Sequence, residues 1–342
     1  MCGLVGIINK KHQPVDPQLL KAMADVMAYR GPDDEGYHID GSVGFYHKRL
    51  SIIDLQTGHQ PMLRDSNVIV FNGEVYNYLE LREELIKKGH QFSTKSDTEV
   101  ILKMYKQYDI DFIEKLNGMF AFILFDKARN RIISARDHFG IKPLYYFLGD
   151  DVLLYASEIK ALLLHPAVVP EPNYDVMAEY LTFQFILDDL TLFKGIKKVL
   201  PGHCQIIDLQ TMKTRTIKYW APQFTVDTSH TESYFITKLK QLLEDTVRIQ
   251  MRSDVPMGTY LSGGMDSSIV TCMAAKMTPL GLETFTGAFA EGTKFNEIKY
   301  AREVATACGA RMHTVIATCK DFIELMPKLI YHLDEPVAGP GV

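Results

Sequence analysis

Apolar residues in the first half of the chain recur in short alternating runs, a pattern typical of β-strands. Longer stretches with apolar residues every three or four positions predict helices at 18–29, 78–88 and 98–108. The dipeptide Asn72-Gly73 is a strong turn signal, so we expect the strand before it to end there. The polar segment 127–130 is expected to close a hairpin. The predicted strands are 4–8, 43–46, 50–53, 68–71, 119–126, 131–135, 144–147, 153–156 and 204–209.

After a polar stretch at 210–230 the pattern changes to helices that alternate with strands. The expected elements are helix 233–251, strand 257–261, a helix ending at 276, strand 284–289, helix 300–308 and strand 313–317. This order predicts a parallel sheet. We therefore expect a first domain at 2–209, a linker at 210–230 and a second domain at 231–342. A parallel sheet of only three strands leaves its faces poorly covered, and the end of the chain is loop-like. We therefore expect the 342 residues to be part of a longer protein.

Composition narrows the class of protein. A net charge of −5 gives no reason to expect nucleic acid or an anionic membrane as a partner, and no apolar run is long enough to predict a membrane span. The five cysteines are scattered without CxxC spacing, which argues against a disulfide framework and against a structural zinc site. A reducing cytoplasm is the expected location.

The stretch Met1-Cys2-Gly3 is the first candidate for chemistry. If Met1 is removed, Cys2 carries both a thiol and a free α-amine, with ordinary pKa values of about 8.5 and about 7.7–8.0. The amine can then accept the thiol proton near neutral pH, which supplies the nucleophile with its own base. The alternative is that a cysteine at position two is incidental.

A second candidate is the stretch Leu261-Ser262-Gly263-Gly264-Met265-Asp266-Ser267-Ser268, between a predicted strand and a predicted helix. Glycines let backbone N–H groups approach phosphates, and a helix N-terminus favours anions. Asp266 could hold Mg²⁺ against those phosphates. The lysine of the GxxxxGK[ST] loop is missing. The alternative is a Ser/Gly turn that only caps a helix.

Three further pieces of the first half carry polar groups after strands or before a helix. Arg49 could bind a carboxylate, or form a surface ion pair. The Asn72 amide and the Gly73 N–H could form an oxyanion hole, or only a hairpin turn. Asp97 could bind an ammonium group, or act as the N-cap of a helix. Glu74 taken alone would be a solvated loop acid. Their joint presence with Cys2 favours the functional interpretation.

With these pieces the chain resembles the glutamine-hydrolysing asparagine synthetases. Its first half is similar to class II glutamine amidotransferase domains, which are N-terminal-nucleophile hydrolases, and Ser262 to Ser267 is similar to the SGGxDS pyrophosphate loop of adenylating enzymes. The motifs that carry the resemblance begin with Cys2 and Asn72-Gly73-Glu74 and continue along the whole chain. They include 30–33, 49–52, 71–77, 96–99, 118–122, 135–137, 140–146, 156–160, 192–196 and 201–203.

The resemblance implies a fold class for each half. The first would be an α+β four-layer αββα sandwich of the N-terminal-nucleophile hydrolases. The second would be an incomplete α/β parallel-sheet domain like the adenine nucleotide hydrolases, whose second synthetase motif would lie beyond Val342.

The resemblance also implies roles for the glutaminase residues. Cys2 would attack the glutamine amide, and Asn72 and Gly73 would stabilise the oxyanion. The residues expected to hold glutamine are Arg49, Ile52, Ile53, Asn72, Gly73, Glu74 and Asp97.

For the second half, the resemblance implies that ATP activates aspartate as β-aspartyl-AMP, which ammonia travelling between the domains would amidate. The residues expected to hold ATP are Leu261, Ser262, Gly263, Gly264, Asp266, Ser267 and Gly287, with Mg²⁺ on Asp266. The expected partners are glutamine, aspartate and ATP. A homodimer is a possible oligomeric state. Asp334-Glu335 could line the acceptor pocket, or be a solvated acidic pair.

Two alternatives to asparagine synthesis stay open. The same chemistry could amidate another carboxylate, such as a sugar acid or a peptide. The chain could also be a non-catalytic relative that binds or regulates, although the intact Cys2, Asn72-Gly73 and Ser262 to Ser267 argue against this.

Overall fold

The computed structural model describes residues 1–290 and 296–336 of the chain. These residues form two compact units. The first contains Met1–Pro222 and the described residues from Ile330 onwards, and the second contains Gln223–Leu329.

Twelve strands build two sheets in the described part of the first unit, and every strand pair in both is antiparallel. The strands are β1 Gly3–Asn9, β2 Asp34–Asp40, β3 Val43–Arg49, β4 Met62–Arg64, β5 Asn67–Val75, β6 Gly118–Asp126, β7 Arg131–Arg136, β8 Tyr145–Leu148, β9 Val152–Ala156, β10 Ile196–Lys198, β11 His203–Asp208 and β12 Thr214–Lys218. One sheet has the order β10-β8-β9-β1-β3-β2, and the other has the order β12-β11-β7-β6-β5-β4.

Helices cover the outer face of each sheet. The α-helices of this unit are α1 Pro17–Asp25, α2 Tyr78–Lys87, α3 Asp97–Tyr108, α4 Ile159–Leu162 and α5 Tyr174–Phe183, and short 3₁₀ helices span Ala28–Arg30 and Asp109–Lys115. One core joins α2 and α3 to the second sheet, another joins α1 and α4 to the first sheet, and a third lies between the two sheets. This arrangement confirms the expected αββα sandwich.

Strand alternation decides which side chains enter the space between the sheets, because successive residues of a strand point to opposite faces. Leu4 and Ile8 of β1 belong to the core between the sheets, whereas Val5 and Ile7 belong to the core under α1. Val68 and Val70 of β5 also belong to the core between the sheets. The same alternation assigns Cys2, just before β1, and Asn72 on β5 to this space.

Two local predictions for this unit are wrong, and one further strand, β2, was not predicted. Residues 50–53 form no strand, because their backbone groups pair with the Cys2 thiol, an Asp33 carboxylate oxygen and the Arg49 guanidinium instead of a neighbouring strand. The strand series also does not end near residue 209, since β12 lies inside the predicted linker and pairs with β11. Both β12 and the unpredicted strand β2 are polar edge strands, which lack the apolar alternation of buried strands.

The second unit alternates helices and strands as predicted. Its elements are α6 Glu232–Gln250, β13 Gly258–Tyr260, α7 Met265–Lys276, β14 Glu283–Phe289, α8 Ile298–Cys308, β15 Arg311–Ala317 and α9 Cys319–Leu333, whose last residues from Ile330 belong to the first unit. The described strands form a parallel sheet of order β13-β14-β15, which confirms the α/β class. Within the described residues, no helix combines the length and the apolar character that crossing a membrane requires.

The acidic pair near the end of the chain is not solvated. The Asp334 side chain is 5% exposed and the Glu335 side chain is 10% exposed. The Asp334 carboxylate accepts a hydrogen bond from the Ile159 N–H at 2.6 Å, and the Glu335 carboxylate accepts one from the Leu192 N–H at 2.6 Å. The interpretation as a solvated acidic pair is therefore wrong, because backbone donors of the first unit bind both carboxylates. The rest of the predicted tail, 337–342, lies outside the described residues.

Candidate active sites

Cys2 lies beside the end of β3, because β1 and β3 are antiparallel neighbours with Gly3 opposite Lys48. The Leu50 N–H donates to the Cys2 sulfur at 3.4 Å. Burial raises the pKa of the Cys2 thiol, while the Leu50 hydrogen bond and the cations Arg49 and Lys142 act in the opposite direction. A thiol with a raised pKa needs a base close to its sulfur to become a nucleophile near neutral pH.

The backbone of Cys2 is held by Arg30, at the end of the short helix Ala28–Arg30. The Arg30 guanidinium donates from Nε to the Cys2 carbonyl oxygen at 2.8 Å and from Nη1 to the Glu158 carboxylate at 2.8 Å. Both side chains are buried, so the ion pair is screened little by water. Gly31 lets this helix approach β3, since a Cβ there would lie 2.2 Å from the Lys48 carbonyl carbon.

Asn72 carries a buried side-chain amide with no partner. The residue is 1% exposed, and neither its Nδ2 nor its Oδ1 has a hydrogen-bond partner among the described residues. Leaving a buried polar group unpaired costs about 1–3 kcal/mol, so such a group in a native pocket calls for a ligand or a catalytic role. The amide N–H groups are available to an oxygen that enters the pocket.

The predicted turn at Asn72-Gly73 does not form, and this prediction is wrong. β5 runs on to Val75 and stays paired with β6, with Asn72 opposite Ala121 and Gly73 opposite Phe120. Gly73 has φ +149°, and a Cβ there would lie 2.0 Å from the Met119 carbonyl oxygen. Glycine therefore allows an unusual backbone conformation inside the strand, at a place where a side chain would collide with the neighbouring strand.

Two carboxylates of the same pocket have raised pKa values. Burial and the neighbouring Asp97 charge raise the pKa of Glu74 to about 7. Burial raises the pKa of Asp97 to about 6, although its carboxylate accepts from the Val75 N–H at 3.0 Å. The alternative that Asp97 is the N-cap of α3 is wrong, because the Ser96 hydroxyl fills that position and accepts from the Thr98 N–H. Asp97 and Glu74 together can bind one cationic group.

Arg49 is 5% exposed at the carboxyl end of β3, so it is not a surface residue, although its Nη1 lies 4.0 Å from the partly exposed Asp34 carboxylate. Its Nη2 donates to the carbonyl oxygens of Ile53 at 3.1 Å and Asp54 at 2.7 Å. Gly58 leaves room for the guanidinium, because a Cβ there would lie 2.3 Å from Arg49 Nη2. These contacts fix one edge of a planar cation that can bind a carboxylate.

One cavity of about 180 Å³ brings these groups together. Ligand pockets for drug-sized molecules are larger, about 300–1,000 Å³, so this cavity suits a small metabolite. All the sequence-predicted residues of the first site line it: Cys2, Arg49, Ile52, Ile53, Asn72, Gly73, Glu74 and Asp97. The structure adds Gln60 and Lys142. Sequence reasoning missed Gln60 because no local pattern separates it from a surface position, and it gave Lys142 no role although this residue lies in the motif 140–146. Lys142 is buried, and burial lowers the pKa of its ammonium group.

The second candidate site lies at the N-terminus of α7. The Leu261 N–H donates to the Phe285 carbonyl and the Thr286 hydroxyl donates to the Leu261 carbonyl, so the loop starts from a fixed strand end. The Ser262 and Ser267 hydroxyls lie 2.9 Å apart. Gly263 has φ +89°, and a Cβ there would lie 2.7 Å from the Ala301 nitrogen. The loop is thus a tight turn at a helix N-terminus.

Gly264 is the N-cap of α7. Because glycine has no side chain, no N-cap side chain accepts a hydrogen bond from the first N–H groups of the helix. Asp266 is exposed in the first turn of the helix. Gly287 is exposed on β14, with no atom within 4 Å of the place a Cβ would take. Among the described residues no group of three or more His, Cys, Asp or Glu side chains could hold a metal ion. A single exposed carboxylate such as that of Asp266 is the kind of ligand that Mg²⁺ takes when phosphates supply other ligands.

Comparison with known proteins identifies the family of the chain. A family model described as a glutamine amidotransferase domain matches residues 1–220, which places the first unit in that class. A second model, described as asparagine synthase, matches residues 238–341. The asparagine synthetase [glutamine-hydrolyzing] 1 of Bacillus subtilis is 40% identical over 351 residues, which cover 100% of this chain and 54% of that protein. The asparagine synthetase [glutamine-hydrolyzing] 2 of the same organism is 38% identical over 361 residues, which cover 99% of this chain and 48% of that protein.

The chain therefore belongs to the family of glutamine-hydrolysing asparagine synthetases. It spans about half the length of the curated relatives that it matches.

Proposed function

We propose that the first unit hydrolyses glutamine with Cys2 as the nucleophile, and that the ammonia amidates aspartate activated by ATP in the second unit. One observation carries the glutaminase half of this proposal. The Cys2 thiol shares a small cavity with the buried, unpartnered amide of Asn72 and with the carboxylates of Glu74 and Asp97. A nucleophile, an oxyanion donor and a site for an ammonium group are the parts that hydrolysis of an amino-acid amide requires.

The reaction begins once Met1, which is 56% exposed, has been removed and the α-amine of Cys2 is free. The amine takes the thiol proton, and the sulfur attacks the side-chain amide carbon of glutamine. The oxyanion accepts hydrogen bonds from Asn72 Nδ2 and the Gly73 N–H. The C–N bond then breaks, the α-ammonium returns the proton to the leaving nitrogen, and ammonia departs. Water hydrolyses the thioester to glutamate and restores the thiol.

The remaining groups of the cavity select glutamine. The Arg49 guanidinium binds the α-carboxylate, while Glu74 and Asp97 bind the α-ammonium group. The backbone of Ile52 and Ile53 closes the pocket around the main-chain end of the substrate. The thiol must stay reduced, so we place the reaction in the cytoplasm.

The acidic pair makes glutamine binding depend on pH. An ammonium group favours ionised carboxylates, and the pKa values of Glu74 and Asp97 in the unliganded pocket are about 7 and about 6. Affinity is therefore full above these pKa values and falls as the pH drops through them, because binding must then displace protons. We expect the Kd of glutamine for the Cys2→Ala variant, measured by calorimetry, to rise roughly tenfold per pH unit for each of the two carboxylates that is protonated, which gives up to about 100-fold per unit below both pKa values. A Kd that stays constant between about pH 8 and about pH 5 would contradict this assignment.

In the second unit, we assign the turn from Leu261 to Ser267 to the pyrophosphate of ATP. Free N–H groups at the start of α7 and the hydroxyls of Ser262 and Ser267 can donate to phosphate oxygens. Asp266 then binds the Mg²⁺ that accompanies the nucleotide, and the backbone at Leu261 and Gly287 contacts the adenine. The exposed surface at Gly287 leaves space for a flat ring.

Replacing Gly263 by alanine tests the ATP site. A Cβ at Gly263 meets the Ala301 nitrogen and the Tyr300 Cβ within 2.8 Å, so the loop must move and we expect ATP to bind at least about tenfold more weakly. Gly281→Ala is the matched control. It has a similar φ of +98° but no atom within 4 Å of the added Cβ. Calorimetric titration with Mg·ATP should show normal affinity for Gly281→Ala, and equal losses in the two variants would contradict the assignment.

Glutamine hydrolysis by the unmodified chain is the test of the proposed function. We expect glutamate and ammonia in equal amounts, and no release of ammonia from glutamine would overturn the proposal. The acceptor is tested separately by ATP–pyrophosphate exchange. Exchange that depends on aspartate supports asparagine synthesis, whereas exchange that depends on another carboxylate and not on aspartate favours the alternative acceptor.

A further inference from the structure

A continuous chain of charged groups connects Asp334 with the nucleophile of the first unit. Lys160 Nζ lies 2.8 Å from the Asp334 carboxylate and 2.6 Å from the Glu158 carboxylate. Glu158 pairs in turn with Arg30 at 2.8 Å, and Arg30 donates to the Cys2 carbonyl oxygen at 2.8 Å. Three ion pairs and one hydrogen bond therefore lead from Asp334 to the backbone of Cys2.

The charged groups of this series of ion pairs are shielded from water. The side chains of Asp334 and Glu158 are each 5% exposed, that of Arg30 is 7% exposed and that of Lys160 is 10% exposed. Aromatic rings enclose the middle of the chain, since Lys160 Nζ lies 5.0 Å from the centre of the Tyr331 ring and 5.8 Å from that of Tyr29. His332 packs edge-on against Tyr29 at 4.3 Å. Screening is weak in such a place, so each charge depends strongly on its partners.

Each inner member of this series of ion pairs contacts two charged neighbours, and the Tyr29 hydroxyl also hydrogen-bonds both Glu158 and Lys160. Lys160 is shared between Asp334 and Glu158, and Glu158 is shared between Lys160 and Arg30. Without the Asp334 charge, Lys160 keeps Glu158 as its carboxylate partner and competes more strongly with Arg30 for it. The Arg30 guanidinium then loses part of the ion pair that orients it towards the Cys2 carbonyl.

The position of Asp334 in the sequence shows which parts of the protein this series of ion pairs connects. Asp334 lies in the stretch that the asparagine synthase family model matches, 238–341, yet its side chain is buried in the first unit. The glutaminase pocket is thereby tied to residues that follow the proposed ATP site in the sequence. Neither Asp334 nor Lys160 lines the cavity that contains Cys2.

We propose that Asp334, Lys160 and Glu158 are positioning residues for the glutaminase, which act through Arg30 to hold Cys2 in place for attack. Glutamine hydrolysis is then fast only while the segment Ile330 to Pro336 is seated on the first unit. This inference deepens the proposed function and rests on it.

The test compares Asp334→Asn with Glu335→Gln in the full chain. Both substitutions neutralise a buried carboxylate of one segment, but Glu335 binds the Leu192 N–H and lies outside the charged chain. We expect Asp334→Asn to lower kcat for glutamine hydrolysis about fivefold with little change in KM, because Arg49, Glu74 and Asp97 are untouched. We expect Glu335→Gln to keep the kcat of the unmodified chain. Equal losses in both variants would overturn the proposal, because general seating of the segment would explain them.

Alkylation of Cys2 by iodoacetamide is a second readout, and it does not require glutamine to be the substrate. We expect Asp334→Asn to change the alkylation rate of Cys2, located by peptide mass spectrometry, by about the same factor as kcat. An unchanged rate would overturn the inference even if glutamine hydrolysis is confirmed. Loss of the proposed function would instead appear as absent hydrolysis by the unmodified chain, with the alkylation difference intact.

A double-mutant cycle tests whether the effect of Asp334 on Cys2 passes through Lys160. If the effect passes through Lys160, Asp334→Asn has no further effect in a Lys160→Met background. Additive effects of the two substitutions would contradict a route through Lys160. Circular dichroism of each variant confirms that the comparison is made between folded proteins.

Discussion

Alanine in place of Cys2 is expected to abolish glutamine hydrolysis, with kcat at least about 10⁴-fold lower, as for the loss of other enzyme nucleophiles. Among the described residues that line the cavity Cys2 alone carries a thiol, and the serine and threonine hydroxyls there lack the α-amine that acts as base in this proposal. The measurement is the initial rate of glutamate release under saturating glutamine. Serine at position 2 keeps the amine but loses the thiol, and it should be only slightly more active than alanine.

Cys319→Ala is the control for the Cys2 substitution, because it removes the exposed cysteine of the second unit. It should hydrolyse glutamine at the normal rate. Mg·ATP should bind equally to the Cys2→Ala variant and to the unmodified chain, which shows that the second unit is intact. If Cys2→Ala releases glutamate at the normal rate, Cys2 is not the nucleophile and the mechanism fails.

Asn72→Ala should lower kcat about 10²–10³-fold, the usual cost of removing one oxyanion donor. The KM for glutamine should change little, because the amide acts on charge that develops during the reaction and not on the bound ground state. The stability of the protein should not fall by the usual cost of a lost hydrogen bond, since neither amide atom of Asn72 has a hydrogen-bond partner within the described part of the chain. Kinetics together with thermal unfolding measure both effects.

Asn67→Ala is the matched control, because Asn67 is another buried asparagine of β5 but does not line the cavity. Its kcat should match that of the unmodified chain. A large loss of stability in Asn72→Ala with a normal kcat would show that the amide has a structural role, and the oxyanion assignment would be wrong.

Much of the fold follows from the apolar pattern. The hairpin of β6 and β7, the helices α2 and α3 and the alternation in the second unit lie where the sequence predicts them. These elements have a strong apolar periodicity, because each buries one face or both. The edge strands β2 and β12 lack this signal and could not be predicted.

The candidate site shows where local signals fail. Asn72-Gly73 is a turn signal in isolation, but β6 pairs with the strand on both sides of it and keeps the backbone extended. Asp97 resembles an N-cap in the sequence, although the serine before it fills that position. At Asn72-Gly73 pairing with a neighbouring strand overrides a local preference, and at Asp97 a better N-cap lies one residue earlier.

The buried ion pairs and hydrogen bonds of Glu158 and Asp334 could not be predicted. Glu158 is 128 positions from Arg30, and Asp334 is 175 positions from Ile159, whose N–H it accepts. No periodicity or motif indicates that these charges are buried together. Charged residues in a loop are normally solvated, so the sequence favoured the interpretation that the structure contradicts for Asp334 and Glu335.

The most direct test of the glutaminase mechanism is the mass of the chain when it is quenched in acid during steady-state glutamine turnover. The account predicts a chain without Met1, with one γ-glutamyl group added in the peptide that begins at Cys2. That peptide should be unmodified when glutamine is left out. Turnover by a chain that retains Met1, or a γ-glutamyl group on any other residue, would contradict the claim that Cys2 attacks glutamine with its own amine as base.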